Sequence, residues 1–143
     1  MDKLSNIMRE LFVIQGAIGG VYHEAALKLG LTDTEMDILS LLAMEGEGCN
    51  QTALYQKTAT SKSTVNTALH KMRAKGLLSI ETSGRITRVY MTEEGRKFSG
   101  ATVERLMRME DELFNAWTSE ERETFLRLNQ RYLDDLRERV KAL

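Results

Sequence analysis

Apolar residues in the first part of the chain recur at intervals of three and four, which is the spacing of one face of an α-helix. The pattern extends over residues 4–29 and predicts a long amphipathic first helix. Gly16, Gly19 and Gly20 interrupt it, and each costs about 1 kcal/mol relative to alanine in a helix. We therefore expect the helix either to bend at these glycines or, as we prefer, to pack closely against another backbone there.

The middle of the chain alternates short helical patterns with turn residues and then becomes rich in β-branched residues. The elements predicted before the β-rich stretch are a second helix begun by the capping box at 32–35, a third over 51–57 capped by Asn50, a turn at 58–60, and a fourth begun by Ser61 or Thr60 and ended by Gly76. After them come two strands over 78–82 and 85–91 around the turn Ser83-Gly84, a long fifth helix that Thr92 caps and whose apolar positions continue to Trp117, and a sixth from the capping box at 118–121.

This order of elements is that of a winged helix-turn-helix. We predict a mostly α fold in which residues 31–97 form a winged helix-turn-helix lobe, with a small β-hairpin as the wing. The length of 143 residues suits one domain over 1–143. The first, fifth and sixth helices carry more apolar stripe than so small a core can cover. We therefore expect residues 1–30 and 98–143 to form a helical dimerisation region that pairs with a second copy.

Composition excludes several kinds of chemistry. No apolar run approaches the roughly 20 residues needed to cross a bilayer, and residues 1–6 lack the pattern of a signal peptide, so we expect a cytoplasmic protein with no membrane partner. Cys49 with His23 and His70 does not make a metal-ligand cluster of useful spacing, and we expect neither a metal nor a cofactor. No nucleophile and base, glycine-rich phosphate loop or paired buried carboxylates can be placed, which argues against an enzyme.

Charge is distributed unevenly along the chain. Residues 48–91 contain seven basic residues against Glu81 alone, a net charge of +6, and because the whole chain carries −1, the remainder carries −7. A solvated charged face would usually interleave both signs. A basic central third between acidic arms instead indicates a local anion-binding surface.

The fourth helix is the candidate for reading DNA. If Val65 and the other apolar residues of this helix face the core, the opposite side carries Ser63, Asn66, Thr67 and His70, flanked by Lys62, Thr64 and Lys71. Small hydroxyl residues allow a helix to sit deep in a major groove. Asn66 can pair bidentately with adenine, and His70 or Lys71 can donate to guanine acceptors or to phosphate.

Further contacts are expected around this helix. The backbone amides at the first turns of the third and fourth helices, near Gln51, Ser61 and Ser63, suit phosphate oxygens. Arg85 and Arg88 on the hairpin would reach the DNA backbone or an adjacent minor groove. Each residue also has a plain structural explanation, such as Ser61 acting only as a helix cap. For the set as a whole the structural explanations are weaker than DNA binding, because no acidic residue occurs between Glu47 and Glu81.

Several motifs resemble those of the MarR family of bacterial transcription regulators. They are Leu31-Thr32-Asp33-Thr34-Glu35, Lys62-Ser63-Thr64-Val65-Asn66, Lys75-Gly76-Leu77-Leu78, and Met91-Thr92-Glu93-Glu94-Gly95-Arg96, the last of which the family usually writes Leu-Thr-x-x-Gly. The match covers residues 31–98 by motif and the rest by helix order.

The resemblance implies a homodimer with interlocked terminal helices, two winged lobes on an inverted-repeat operator in double-stranded DNA, and a repressor released by a small-molecule effector. One departure is visible in the wing, where the family commonly has Asp-Arg-Arg. Ser83, Gly84 and Arg85 stand there, so the bracing Asp is absent and the wing looks short. This motivates an alternative, a winged-helix protein-interaction module that has lost DNA binding.

Cys49 is a candidate redox switch because some members of the family sense oxidants with a thiol. A sensor thiol needs a depressed pKa, whereas Glu45 and Glu47 bracket Cys49 and favour its neutral form. We therefore expect a structural or incidental role for this cysteine.

Overall fold

The computed structural model describes residues 3–46, 48–58 and 60–143. The helices and strands, in chain order, are α1 (Lys3–Leu29), α2 (Asp33–Glu45), β1 (Cys49–Asn50), α3 (Gln51–Lys57), α4 (Lys62–Ala74), β2 (Leu78–Ser83), β3 (Ile86–Met91), α5 (Glu93–Ala101), α6 (Val103–Asn115) and α7 (Ser119–Val140). The mostly α fold with a small sheet is the predicted one. The expectations placed on Glu47 beside Cys49, on Ala59 in the turn before α4, and on residues 1 and 2 lie outside the described residues.

The helix starts follow their sequence signals. Thr32 accepts a hydrogen bond from the backbone N–H of Glu35, whose carboxylate accepts one from Thr32 N–H, so the capping box is complete. Asn50 caps α3, Ser61 caps α4 and Thr92 caps α5, each through its side-chain oxygen. These side chains satisfy amide donors that the first turn of a helix leaves without a partner.

The sheet has three antiparallel strands in the order β1-β3-β2, one more than the hairpin predicted. The extra strand is β1, whose Cys49 and Asn50 pair with Val89 and Arg88. Two residues carry too little periodicity to be recognised in sequence. The predicted turn is wrong by one residue: Ser83 pairs with Ile86, so Gly84 and Arg85 form the loop. Gly84 has φ +63° at the first loop position, which suits a type II′ hairpin turn.

The wing is joined to α5 by a close backbone contact. Thr92 N–H donates to the Leu77 carbonyl at 3.0 Å, and the Thr92 hydroxyl donates to the Gly76 carbonyl at 2.6 Å. The same hydroxyl oxygen accepts from Gly95 N–H at 3.0 Å. A Cβ at Gly95 would lie 2.0 Å from the Leu77 carbonyl oxygen, so only glycine fits. The contact between residues 76–77 and the start of α5 therefore requires both Thr92 and Gly95, which explains the Thr-x-x-Gly spacing noted in the sequence.

The long fifth helix predicted after Thr92 is wrong, because the structure has two helices that meet at Thr102. This residue has φ −122° and ψ −95°, and its hydroxyl donates to the Phe98 carbonyl at 2.7 Å. A threonine hydroxyl that bonds back to the i−4 carbonyl competes with the helix ladder and bends it. Apolar spacing continues through the break, so periodicity alone did not reveal it.

The structure divides into two compact units, residues 1–106 and 107–143. In the first, the largest fully buried apolar side chains come from α2, α3, α4 and β3 and from the start of α6, and they include Ile38, Leu39, Leu54, Leu69 and Met72. The middle of α1 is exposed along residues 12–20, and the most exposed of its apolar side chains is Phe12 at 79%. A Cβ built on Gly16, Gly19 or Gly20 meets no atom within 4 Å. The close packing expected at these glycines is therefore absent from the described chain.

The second unit holds the end of α6 and all of α7. Phe114, Trp117 and Phe125 form an aromatic cluster with ring centroids 5.1 to 5.9 Å apart. Arg122 donates to the Phe114 and Trp117 carbonyls and holds the turn between the helices. No residue of α7 is buried, although it carries a row of leucines. None of the described helices is long and apolar enough to cross a membrane.

Candidate nucleic-acid interface

One side of α4 is buried and the other is open. Val65, Leu69 and Met72 are fully buried, as the apolar spacing predicts. The opposite side, which we call the α4 surface, consists of Lys62, Ser63, Thr64, Asn66, Thr67, His70 and Lys71. All of these residues are exposed except Asn66, which is half-buried. The amphipathic helix thus presents an acid-free polar face to solvent.

Asn66 is held by a polar network that joins α3 to α4. Its Oδ1 accepts a hydrogen bond from Gln51 Nε2 at 3.0 Å and another from the Tyr55 hydroxyl. Gln51 Nε2 also donates to the Tyr55 hydroxyl oxygen at 2.6 Å. The adenine pair expected of Asn66 needs its Oδ1 to accept from the base. Since a carbonyl oxygen has two acceptor positions, both are already used within the protein.

The remaining residues of the α4 surface differ in how tightly the protein holds them. The Thr67 hydroxyl donates to the Ser63 carbonyl at 3.0 Å, and Ser61 Oγ lies 2.9 Å from Thr64 Oγ1. Lys71 Nζ lies 3.9 Å from the carboxylate of Glu35, which is buried beneath it. Glu35 therefore partly neutralises the charge of Lys71 within the lobe. Lys62 has no carboxylate partner among the described residues.

Lys62 lies over an aromatic ring. Its Nζ is 5.6 Å from the centroid of the Tyr55 ring, within the range of a cation–π interaction. Tyr55 was not among the residues predicted for the interface. Its spacing of four from Gln51 places both side chains on one face of α3, which was a usable signal. The contact to Asn66 spans two helices and could not be found from spacing.

The third part of the interface is the wing and its neighbours. Arg88 in β3 donates to the Gly48 carbonyl at 3.3 Å and is paired across the sheet with Glu81. Arg85 lies in the exposed hairpin loop. His70 Nδ1 is 3.1 Å from a guanidinium nitrogen of Arg73. Of the two wing arginines, Arg88 is held against the sheet, and Arg85 extends from the tip.

Cys49 is buried at the edge of the sheet. Burial raises the pKa of its thiol, and the negative charge of Glu45 adds to the shift, while Lys57 and Arg88 oppose it. A raised pKa keeps the thiol neutral and unreactive, which is consistent with the structural or incidental role expected for it. Among the described residues, no group of three or more His, Cys, Asp or Glu side chains could hold a metal ion.

A cavity of about 240 Å³ lies between the end of α2, β3 and α5, lined in part by Tyr90, Arg96 and Glu104. The volume is below that of most ligand sites. His23 of α1 lies on the surface, with its Nδ1 2.9 Å from Asp33 Oδ1.

Comparison with known proteins identifies this arrangement. A family model described as the MarR family matches residues 29–86, which span α2, the helix-turn-helix and most of the hairpin. This winged-helix lobe belongs to the MarR family. The chain thus has the fold of a MarR-family transcriptional regulator, a class of generally non-enzymatic DNA-binding proteins. None of the curated proteins matches the sequence significantly.

Solved MarR structures resemble most of the chain, beyond the residues that the family model matches. A MarR-family transcriptional regulator from Silicibacter pomeroyi is 25% identical, with a TM-score of 0.71 over 93% of this chain and 89% of that one. MepR from S. aureus, solved in complex with DNA, is 21% identical with a TM-score of 0.69 over 87% and 96% of the two chains. PcaV from Streptomyces coelicolor, solved with its natural ligand, is 19% identical with a TM-score of 0.64 over 85% and 89%. The MarR fold therefore extends over the terminal helices as well.

Proposed function

We propose that this protein is a homodimeric, sequence-specific regulator that binds an inverted repeat in double-stranded DNA through the α4 surface. The carrying observation is the exposed, acid-free polar face of α4 on a lobe whose central segment has a net charge of +6. Phosphate contacts supply affinity and register, and contacts to base edges supply specificity. Lys62 and Arg85 have the charge and exposure for phosphate, with Arg88 and Lys71 beside them. Ser63, Thr64, Thr67 and His70 face the groove.

The dimer is supported by what the terminal helices leave exposed. On α1, Ile7, Phe12, Val13 and Val21 are each more than half exposed, and on α7 Leu126 is 69% exposed. Apolar surface of this extent on a soluble chain marks an interaction site. A closed two-fold dimer would bury both faces with one repeated contact. Two copies of α4 would then meet major grooves about one helical turn apart, roughly 34 Å.

Repression and release by a small molecule are the regulatory part of the proposal. They are supported by the family fold and by PcaV, a structural neighbour solved with its natural ligand. A MarR-like architecture places helices from two copies beside each lobe, and the lobe cavity described above is small. We therefore expect the effector to bind where a second copy completes the walls.

The test begins with selection of bound sequences from a random duplex pool. We expect an inverted repeat, and binding that weakens by about 10³ between 50 mM and 200 mM salt if several phosphates are neutralised. Lys62→Ala should weaken binding to all duplexes alike and reduce the salt slope by about 1. Lys97→Ala, which removes a likewise exposed lysine of α5 paired with Glu93 and Glu94, is the matched control and should change neither.

The competing hypothesis of a protein-interaction module makes a different prediction in the same assay. A stable dimer with no affinity for any duplex at low salt would support that module and refute DNA binding. Screening small molecules for release of the selected duplex then tests regulation, and release should occur without loss of the dimer.

A further inference from the structure

Asn66 is the residue of the α4 surface whose side-chain amide is held by two residues of α3, Gln51 and Tyr55. Both acceptor positions of its Oδ1 are taken by Gln51 Nε2 and the Tyr55 hydroxyl. Its Nδ2 has no hydrogen-bond partner among the described residues. The side-chain amide, which in solution offers donors and acceptors equally, therefore offers only N–H donors at this surface.

We propose that Asn66 reads a keto base, guanine or thymine, and discriminates against adenine and cytosine at one position of each half-site. In the major groove guanine presents the O6 and N7 acceptors and thymine presents O4, whereas cytosine presents the N4 donor and adenine presents the N6 donor beside its N7 acceptor. A donor-only amide placed at the keto oxygen bonds guanine O6 or thymine O4, and at the same place it meets the amino group of adenine or cytosine, so that adenine offers it N7 alone. This inference rests on the proposed function, because it assigns a base class to the same surface.

Tyr55 is the positioning residue in this arrangement. Its hydroxyl donates to Asn66 while accepting from Gln51, and the network runs from the first turn of α3 to the second turn of α4. Its ring also lies under Lys62, a proposed phosphate contact. Tyr55 thus orients the amide of Asn66, the proposed base contact, and supports the side chain of Lys62, the proposed phosphate contact. It does not itself contact a base in this proposal.

The experiment measures relative affinities for the selected duplex with all four base pairs placed in turn at each half-site position. For the wild-type protein we expect one position at which guanine or thymine is preferred over adenine by about 5- to 100-fold. Asn66→Asp replaces the donors by acceptors in nearly the same shape. It should invert the preference at that position towards adenine or cytosine, while weakening all duplexes by charge repulsion.

Two hydroxyl deletions separate positioning from general stability. Tyr55→Phe keeps the ring under Lys62 but frees the amide to rotate, so discrimination at the Asn66 position should fall about 3- to 10-fold with the salt slope unchanged. Tyr90→Phe removes a hydroxyl from β3 in the same lobe and should leave the discrimination intact. Circular dichroism melting of each variant confirms that the lobe is folded.

The outcomes separate this inference from the proposed function. A wild-type protein that binds no duplex refutes the proposed function and this inference with it. Binding with adenine preferred at the Asn66 position, unaffected by Tyr55→Phe, overturns the inference and leaves the proposed function standing. If a variant fails to fold, the wild-type base preferences still test the inference, because a protein that prefers guanine or thymine over adenine at no half-site position overturns it.

Discussion

The winged lobe and the terminal helices use apolar residues in opposite ways. In the lobe, each predicted apolar stripe meets another: Val65, Leu69 and Met72 of α4 are fully buried within one chain. In α1 and α7 the stripes are just as regular, yet α7 buries nothing and Phe12 is 79% exposed. Helical periodicity therefore predicts an apolar face but not what covers it. For the lobe the cover is intramolecular, and for the terminal helices we propose that a second copy supplies it.

Substitutions in the two regions should therefore have different effects. A packing error in the lobe should unfold a single chain, independent of protein concentration. A polar substitution on a terminal helix should leave the lobe intact and act through association, which depends on concentration.

The largest expected effect is at the junction of the wing and α5. Gly95→Ala would place a Cβ 2.0 Å from the Leu77 carbonyl oxygen, whose position is fixed by the hydrogen bond from Thr92 N–H. Alanine would otherwise favour the helix by about 0.5–1 kcal/mol, so the sign of the effect tests the contact itself. We expect a loss on the order of 5 kcal/mol in the free energy of unfolding of the lobe, measured by urea denaturation.

Gly100→Ala in the same helix is the control for this substitution. Its added Cβ would lie 3.6 Å from a flexible Glu104 carboxylate oxygen, an ordinary contact. Stability should stay within about 1 kcal/mol of wild type. Equal stability of the two alanine variants would mean that the wing does not approach α5 as described.

The second effect should appear only in the terminal helices. Phe12→Glu puts a carboxylate where we propose that the two copies meet, and burying an unpaired charge costs at least about 2 kcal/mol per copy. Because a two-fold dimer carries the change twice, its dissociation constant should rise roughly a thousandfold. Sedimentation equilibrium measures this directly.

Ala17→Glu adds the same charge to an exposed position about 140° around the same helix from Phe12 and should change the dimer little. The free energy of unfolding of the lobe, measured with urea on dissociated chains, should be the same in both variants. A dimer of unchanged affinity in Phe12→Glu would place the interface elsewhere.

Sequence was sufficient for those elements whose cause is local. The capping box at Thr32 and the caps Asn50, Ser61 and Thr92 each depend on a side chain within three residues of its partner, and all were predicted. The two-residue strand β1 was missed because it depends on pairing with β3, some forty residues away. The break at Thr102 is the exception among the local features: its hydroxyl bonds to Phe98, four residues back, and it was missed because the apolar spacing continues through it.

The site shows the same division between local and long-range causes. The exposed hydroxyls and lysines of α4 follow from its apolar spacing. The state of Asn66 does not, because it is set by Gln51 and Tyr55 of another helix, 15 and 11 residues earlier. Sequence identified the surface, and only the packing of α3 on α4 restricted which atoms of Asn66 remain available.

The smallest expected effect belongs to Cys49, which lies inside the self-contained lobe. Its pKa is raised above the ordinary value of about 9.0, chiefly by burial, so the folded state holds the proton more tightly than the unfolded state does. The resulting stability is present below pH 9 and is lost as pH rises through the folded pKa. Wild type should therefore lose more stability between pH 8 and pH 10 than Cys49→Ala, by no more than about 1.4 kcal/mol. Urea unfolding with reductant present measures the difference, which should not depend on protein concentration because the thiol lies in the lobe. Parallel pH profiles for the two proteins would show that the thiol is as easily ionised in the folded chain as in the unfolded one, contrary to its buried place beside Glu45.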